Sequence, residues 1–296
     1  MFPIIPANSV TAVSGNQEGI FGYGYFGGQL SMTNLVSNAG VVATDVAGVG
    51  TARAYLGACE YGGDKGIFAF GNAFATNLVS NAGVVATDTA GVGTSRSDLA
   101  ACSFGEDKGI FGYGYAGGYK SMTNLVSNAG IIATDTTGVG TARYAPAACE
   151  YGGDKGIFGF GDTAGGVTGV TNLVSNAGVV ASDVSAVGTA RKYSTACSFG
   201  EDKGIFGYGK TASVWLSITS LVSNAGVVSS DVAGVGTVRE RLAATQYGGD
   251  KGIFGYGYDG SSEYSLTNLV SNTGVVSSDV AGVGTARYGP AACSFN

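Results

Sequence analysis

Residues 58–96 read ACEYGGDKGIFAFGNAFATNLVSNAGVVATDTAGVGTSR, and the spacing of strand formers and turn residues in this stretch decides the fold. Four runs follow one another: Ala58–Tyr61, Ile67–Phe70, Thr76–Ser80 and Val84–Thr87. Each holds four or five residues, mostly β-formers, and is bounded by turn residues, the pattern of short antiparallel strands. Gly62-Gly-Asp-Lys65 joins the first two runs, and Asn81-Ala-Gly83 joins the last two. The Asn-Ala-Gly joint calls for left-handed backbone at Asn or Gly, and Gly-Gly-Asp-Lys is another short hairpin turn.

The same wording recurs along the chain. Gly-Ile-Phe starts at Gly19, Gly66, Gly109, Gly156, Gly204 and Gly252, at intervals of 47, 43, 47, 48 and 48 residues. Four antiparallel strands per period of roughly 40–50 residues is the arithmetic of a propeller. The chain is therefore expected to be all-β: a six-bladed β-propeller of four-stranded antiparallel blades over residues 19–296, with residues 1–18 as an N-terminal arm. The first copy opens on a second strand, Gly19-Ile-Phe21, and the chain finishes on a first strand, Ala291-Ala-Cys-Ser-Phe295. The C-terminal run is expected to complete the first blade and close the ring, leaving no exposed sheet edge there. First-strand endings alternate between Cys-Glu-Tyr at Cys59 and Cys149 and Cys-Ser-Phe at Cys102, Cys197 and Cys293. That alternation reads as three copies of a two-blade unit.

Composition narrows the function. The chain has 53 glycines, 4 prolines, 12% charged residues and a net charge of −6. No basic stripe is present to neutralise phosphates, which argues against nucleic-acid binding. No apolar run reaches the roughly 18 residues of a membrane span, so no membrane insertion is expected. Met1-Phe-Pro-Ile-Ile-Pro6 lacks the basic and long apolar regions of a secretory signal. Histidine is absent, which removes Ser-His-Asp and Cys-His catalysis and His-ligated metal sites together. The expectation is a non-enzyme without cofactor or metal. The non-repeated carboxylates Asp259 and Glu263 are the one cheap candidate for a catalytic pair, and they read more simply as a solvated loop.

The repeat resembles the kelch type: a strand of the form Ile-Phe-Gly-Tyr-Gly, a variable loop, a strand pair, then an arginine after a Gly-Thr turn. It departs from that type in having Gly-Tyr-Gly or Gly-Phe-Gly where a Gly-Gly doublet is usual, and in having its only tryptophan, Trp215, in a variable loop. The wording TNLVSN, GVV and GVGTAR is also similar to repeats in uncharacterised proteins of tailed bacteriophages and environmental bacteria. That second resemblance implies a virion component, in a decoration, tail or host-attachment role. Its partners would be other virion or surface proteins, engaged through residues 1–18, or a host glycan or receptor. The alternative is a free lectin-like propeller, extracellular or cytoplasmic.

Recurrence separates scaffold from site. One aspartate and one arginine mark each copy: Asp45 and Arg53, Asp88 and Arg96, Asp135 and Arg143, Asp183 and Arg191, Asp231 and Arg239, Asp279 and Arg287. A pair repeated in every copy suits structural bonding of loop backbone or of neighbouring blades, and the guanidinium fork fits that work. Cys59, Cys102, Cys149, Cys197 and Cys293 share one position, taken by Thr245 in the remaining copy. Sheets stacked about 10 Å apart keep such thiols beyond disulfide reach, so they read as small buried side chains, with a soft-metal ring as the sharper alternative. Two stretches vary: the loop after the second strand and the loop after the arginine. In an up-and-down blade both emerge on one face, while the uniform turns emerge on the other. The varied face should carry Tyr25, Phe26, Tyr55, Tyr119, Tyr144, Tyr193, Trp215, Tyr264 and Tyr288, an aromatic set suited to protein or glycan recognition.

Overall fold

The computed structural model describes residues 17–185 and 187–295, and the regular structure among them is entirely β. Residues 1–16, most of the expected arm, lie outside the described residues. Six small antiparallel sheets repeat one order of first, second and third strand. In one copy these are Ala147–Tyr151, Lys155–Gly159 and Thr171–Val174, with Cys149 opposite Ile157 and Phe158 opposite Asn172. A short two-stranded sheet, Asp162–Thr163 with Gly166–Val167, adds to one loop.

The last strand joins the first copy. Ala291–Phe295 pairs with Glu18–Tyr25, placing Cys293 opposite Ile20 and Phe295 opposite Glu18. Glu18 therefore belongs to a sheet, and the boundary drawn after it for an arm moves toward the N-terminus. The first strands also touch in succession. Gly57–Tyr61 meets Ala100–Phe104, and contact runs on through Ala147–Tyr151, Thr195–Phe199, Ala243–Tyr247 and Ala291–Phe295, which meets Gly57–Tyr61.

The fourth run is a correction. Among the described residues only Thr89–Ala90 forms a fourth strand, and it is two residues long. Elsewhere the segment after Ser-Asn-Ala-Gly touches its sheet through isolated bridges, such as Val36 with Val42 and Thr33 with Val46. Between those bridges the outer segment is one residue longer than its partner, so the ladder cannot stay in register. A side chain fills the gap: Asn34 Nδ2 donates to the Ala43 carbonyl at 3.0 Å and to Asp45 Oδ1 at 2.9 Å.

Neighbouring sheets are joined by a stack repeated at every junction. Tyr113, fully buried, meets the ring of Phe158 from the next sheet edge-on at 5.1 Å. Arg143 lies over the other side of Tyr113 at 3.9 Å, and its Nη2 donates to Asn172 Oδ1 at 2.7 Å. Asp183 accepts from the Thr141 backbone at 3.1 Å, so the aspartate of one copy holds the Gly-Thr turn of the copy before it. The same bonds join the last copy to the first: Thr285 donates to Asp45, and Arg287 to Asn34. One junction differs. Ser220 replaces the asparagine, and Arg191 Nη1 reaches Asp231 Oδ1 directly at 3.3 Å.

These aspartates give the fold an acid limit. Burial pushes the carboxyls of Asp45, Asp88, Asp135, Asp183, Asp231 and Asp279 upward, but hydrogen bonds from the threonines and from asparagine or serine outweigh it and leave all six below the ordinary range. A carboxylate lowered in the folded state adds stability above its unfolded value and loses it as pH falls. The thermal midpoint should hold steady down to about pH 5 and drop steeply below about pH 4. An unchanged midpoint at about pH 3 would show that these bonds add nothing.

The uniform hairpin turns carry a second testable feature. Glu106 and Glu201 sit at φ of 69° and 70°, where the equivalent Gly63, Gly153 and Gly249 sit at 74° to 78°. Left-handed backbone costs a residue with a Cβ about 1–2 kcal/mol, partly offset by the greater unfolded freedom of glycine. Glu106→Gly with Glu201→Gly should raise the urea midpoint at unchanged slope, by about 0.5 kcal/mol per site. A lowered midpoint would refute this account.

Candidate functional site

The loop after each motif arginine brings one residue to a common mouth: Tyr55, Asp98, Ala145, Tyr193, Arg241 and Gly289. Their backbones form a closed circle of hydrogen bonds. Asp98 donates to Tyr55 at 2.9 Å, Ala145 to Asp98 at 2.7 Å, Tyr193 to Ala145 at 3.1 Å, Arg241 to Tyr193 at 3.0 Å, Gly289 to Arg241 at 2.8 Å, and Tyr55 to Gly289 at 2.9 Å. All six are left-handed, with φ from 49° to 63°. Glycine would adopt this shape freely, yet five positions keep a side chain at a cost of about 1 kcal/mol each. Sequence economy does not explain that choice in a chain with 53 glycines.

The order around the circle sets who faces whom. Asp98 lies across from Arg241, Tyr55 across from Tyr193, and Ala145 across from Gly289. Arg241 Nη1 stands 3.3 Å from Asp98 Oδ1, so an ion pair spans the mouth. The Arg241 guanidinium also lies 4.3 Å from the centre of the Tyr55 ring and 3.9 Å from that of Tyr193. Burial works against its charge, but Asp98 and the two tyrosines outweigh that and raise its pKa. The Asp98 carboxyl is pushed up by burial, with Arg241 and a Ser97 hydrogen bond opposing.

Tyrosines extend this centre into a band. On one side Tyr55 meets Tyr288 at 6.1 Å, and Tyr288 meets both Tyr25 and Tyr258 at 5.4 Å. On the other, Tyr193 meets Tyr144 at 5.8 Å, Tyr144 stacks on Tyr119 at 5.6 Å, and Tyr115 touches both at 6.0 Å. Arg241 joins the halves. Beside the band, Lys192 pairs with Asp162 at 2.6 Å, and Lys210 faces the nearly buried Glu240 at 3.7 Å.

Of the aromatic residues expected on this face, Tyr25, Tyr55, Tyr119, Tyr144, Tyr193 and Tyr288 are thus brought together. Phe26, Trp215 and Tyr264 are not in the chain of ring contacts. Phe26 is half exposed, Trp215 lies under Lys210 with its ring against Gly260, and Tyr264 donates to Asp259 Oδ2 at 2.7 Å. The sequence reading missed Tyr115, Tyr258, Asp98 and Arg241. One signal was available for Arg241, since six of the seven arginines belong to the motif and it is the seventh.

The remaining candidates are engaged elsewhere. Asp259 caps the backbone of Ser261 and Ser262. These bonds and Tyr264 outweigh burial and hold its carboxyl at about 2, which leaves no proton for general-acid work near neutrality. The five cysteines are buried free thiols, and burial raises their pKa, for Cys197 to about 12. Each sulfur packs where the next sheet's Gly-Ile-Phe glycine lacks a Cβ, as Cys59 does against Gly109. No protein-family model matches the chain, and no curated protein matches it.

Proposed function

We propose that the chain is a closed six-bladed β-propeller of the kelch-like kind that acts by binding, and that its ligand is a surface glycan taken on the tyrosine band. One observation carries this reading: two groups of four tyrosines in ring contact across the varied face, joined at an arginine. Tyrosine offers an apolar ring face for the C–H side of a sugar and a hydroxyl for hydrogen bonding, at little entropy cost. The net charge of −6 disfavours polyanions. The closed succession of first strands and the circle of backbone bonds support the ring architecture.

A glycan array tests the reading. Wild-type protein should bind neutral glycans, and Tyr288→Ala or Tyr119→Ala should weaken that binding by about tenfold while leaving the fold intact. A bare array with the folded wild type would overturn it.

A second reading, that the ring is a building part of a phage virion, is favoured by the opposite rim. Val41, Val84, Ile131, Val179, Val227 and Val275 are 64–68% exposed at one position in every copy, and repeated exposed apolar side chains suit assembly. Cryo-electron microscopy of source particles should then find the ring on a capsid or tail. Protein found only free and monomeric would exclude it.

A further inference from the structure

We propose that the mouth of the ring is a subsite for one neutral hexose residue, with a pair of sugar hydroxyls held between Arg241 and Asp98. This rests on the glycan reading above and deepens it. Loops of all six copies line a cavity of about 120 Å³ there, floored by Ala58 and its five equivalents. That space holds several waters or the edge of one small polar ligand.

Its polar groups are incompletely used. Arg241 Nη1 is buried and lacks a hydrogen bond, its Asp98 contact being ionic only. Ser194 Oγ is likewise buried without a partner, in a residue 7% exposed. The other five copies place Leu56, Leu99, Pro146, Leu242 and Pro290 at that position, so the hydroxyl is peculiar to this copy. Buried donors without partners cost free energy, and a ligand that satisfies them recovers it.

The chemistry of the lining selects the ligand. Two donors, Arg241 and Ser194, stand with one acceptor, Asp98. A hydroxyl both accepts and donates, so neighbouring hydroxyls can take a bond from Arg241 and give one to Asp98 without disturbing the ion pair. A carboxylate sugar would set two anions on one guanidinium, and an ammonium would meet Arg241, both unfavourable out of bulk water. Ala145 presents only a methyl on one side of the ion pair, and the Tyr55 ring packs over Gly289 on the other. Tyr55 and Tyr193 offer rings beside it.

The test is a calorimetric and NMR titration of the full chain with the methyl glycosides of glucose, galactose and mannose, and with glucuronate and galacturonate. At least one hexoside should bind, and both uronates should bind more weakly by about tenfold. Asp98→Asn, which keeps the shape, should weaken the hexoside by about tenfold. Ser194→Leu removes the hydroxyl and places there the residue of three other copies, which packs in the core, so it should fold and weaken binding by about tenfold. Lys108→Met, in a uniform hairpin turn outside the band, should leave hexoside binding unchanged. Hexoside binding that survives both mouth variants, or uronates that bind as well as hexosides, would overturn the proposal. An array positive for glycans with no hexoside binding at the mouth would overturn this subsite and leave the band standing. A bare array would overturn both.

Discussion

A chain shortened to end at Pro290 is expected to lose its cooperative thermal transition and to aggregate. The removed strand supplies the ladder partner of Glu18–Gly22 and buries Cys293 and Phe295 to 4% and 0% exposure. Deleting one buried aromatic side chain alone costs about 3–5 kcal/mol. Here a strand is lost with it, and the edge of the Glu18 strand is left open to pair with other molecules. Domains hold only about 5–15 kcal/mol in total, so the remaining copies cannot absorb the loss. Circular dichroism melting and size-exclusion chromatography check it. A cooperative melt within a few degrees of the intact chain would mean that the terminal pairing is dispensable.

Arg143→Met is the second large effect, expected at about 3–5 kcal/mol. Arg143 is fully buried, and methionine keeps some of its length while losing every donor. Asn172 Oδ1 then loses its partner at 2.7 Å, the Thr141 carbonyl loses a donor at 3.1 Å, and the face of Tyr113 is uncovered. Removing one member of a buried polar set costs more than the set is worth, because the others stay buried and unpaired. Lys108→Met is the control. Its pair with Asp107 is substantially exposed, and such pairs contribute about 0–1 kcal/mol. Equal urea-unfolding shifts for the two variants would refute the junction role of the arginine.

Local and non-local information divided sharply in this chain. The first three strands of each sheet were legible because β-formers bounded by glycine turns act over a few residues, and Ala58–Tyr61 against Gly57–Tyr61 shows the agreement. The closing pair, Ala291–Phe295 with Glu18–Tyr25, was legible because the repeat is interrupted at complementary points. The fourth run misled because Val84–Thr87 has strand composition, while its register depends on Asn77 inserting a side chain toward Ala86 and Asp88. The tyrosine band was half legible. Tyr115 and Tyr258 lie in the loops read as variable, at the position that Tyr25 holds in the first copy, but were left out of the aromatic set expected to bind. Asp98 facing Arg241 could not be read at all, since it depends on the order of loops around a circle.

If the mouth binds sugar as proposed, it also limits how tightly one molecule could hold a surface. Six identical copies would have offered six equal sites, or one of sixfold symmetry. Instead the facing pairs are Tyr with Tyr, Asp with Arg and Ala with Gly, and the charged pair gives the centre a direction. A ligand bound as proposed at such a mouth would be held one to a ring, in one orientation. Single-site sugar affinities are modest, so firm attachment to a glycan-covered surface would require several rings presented together. The gain would then come from effective concentration rather than from better contacts within any one ring.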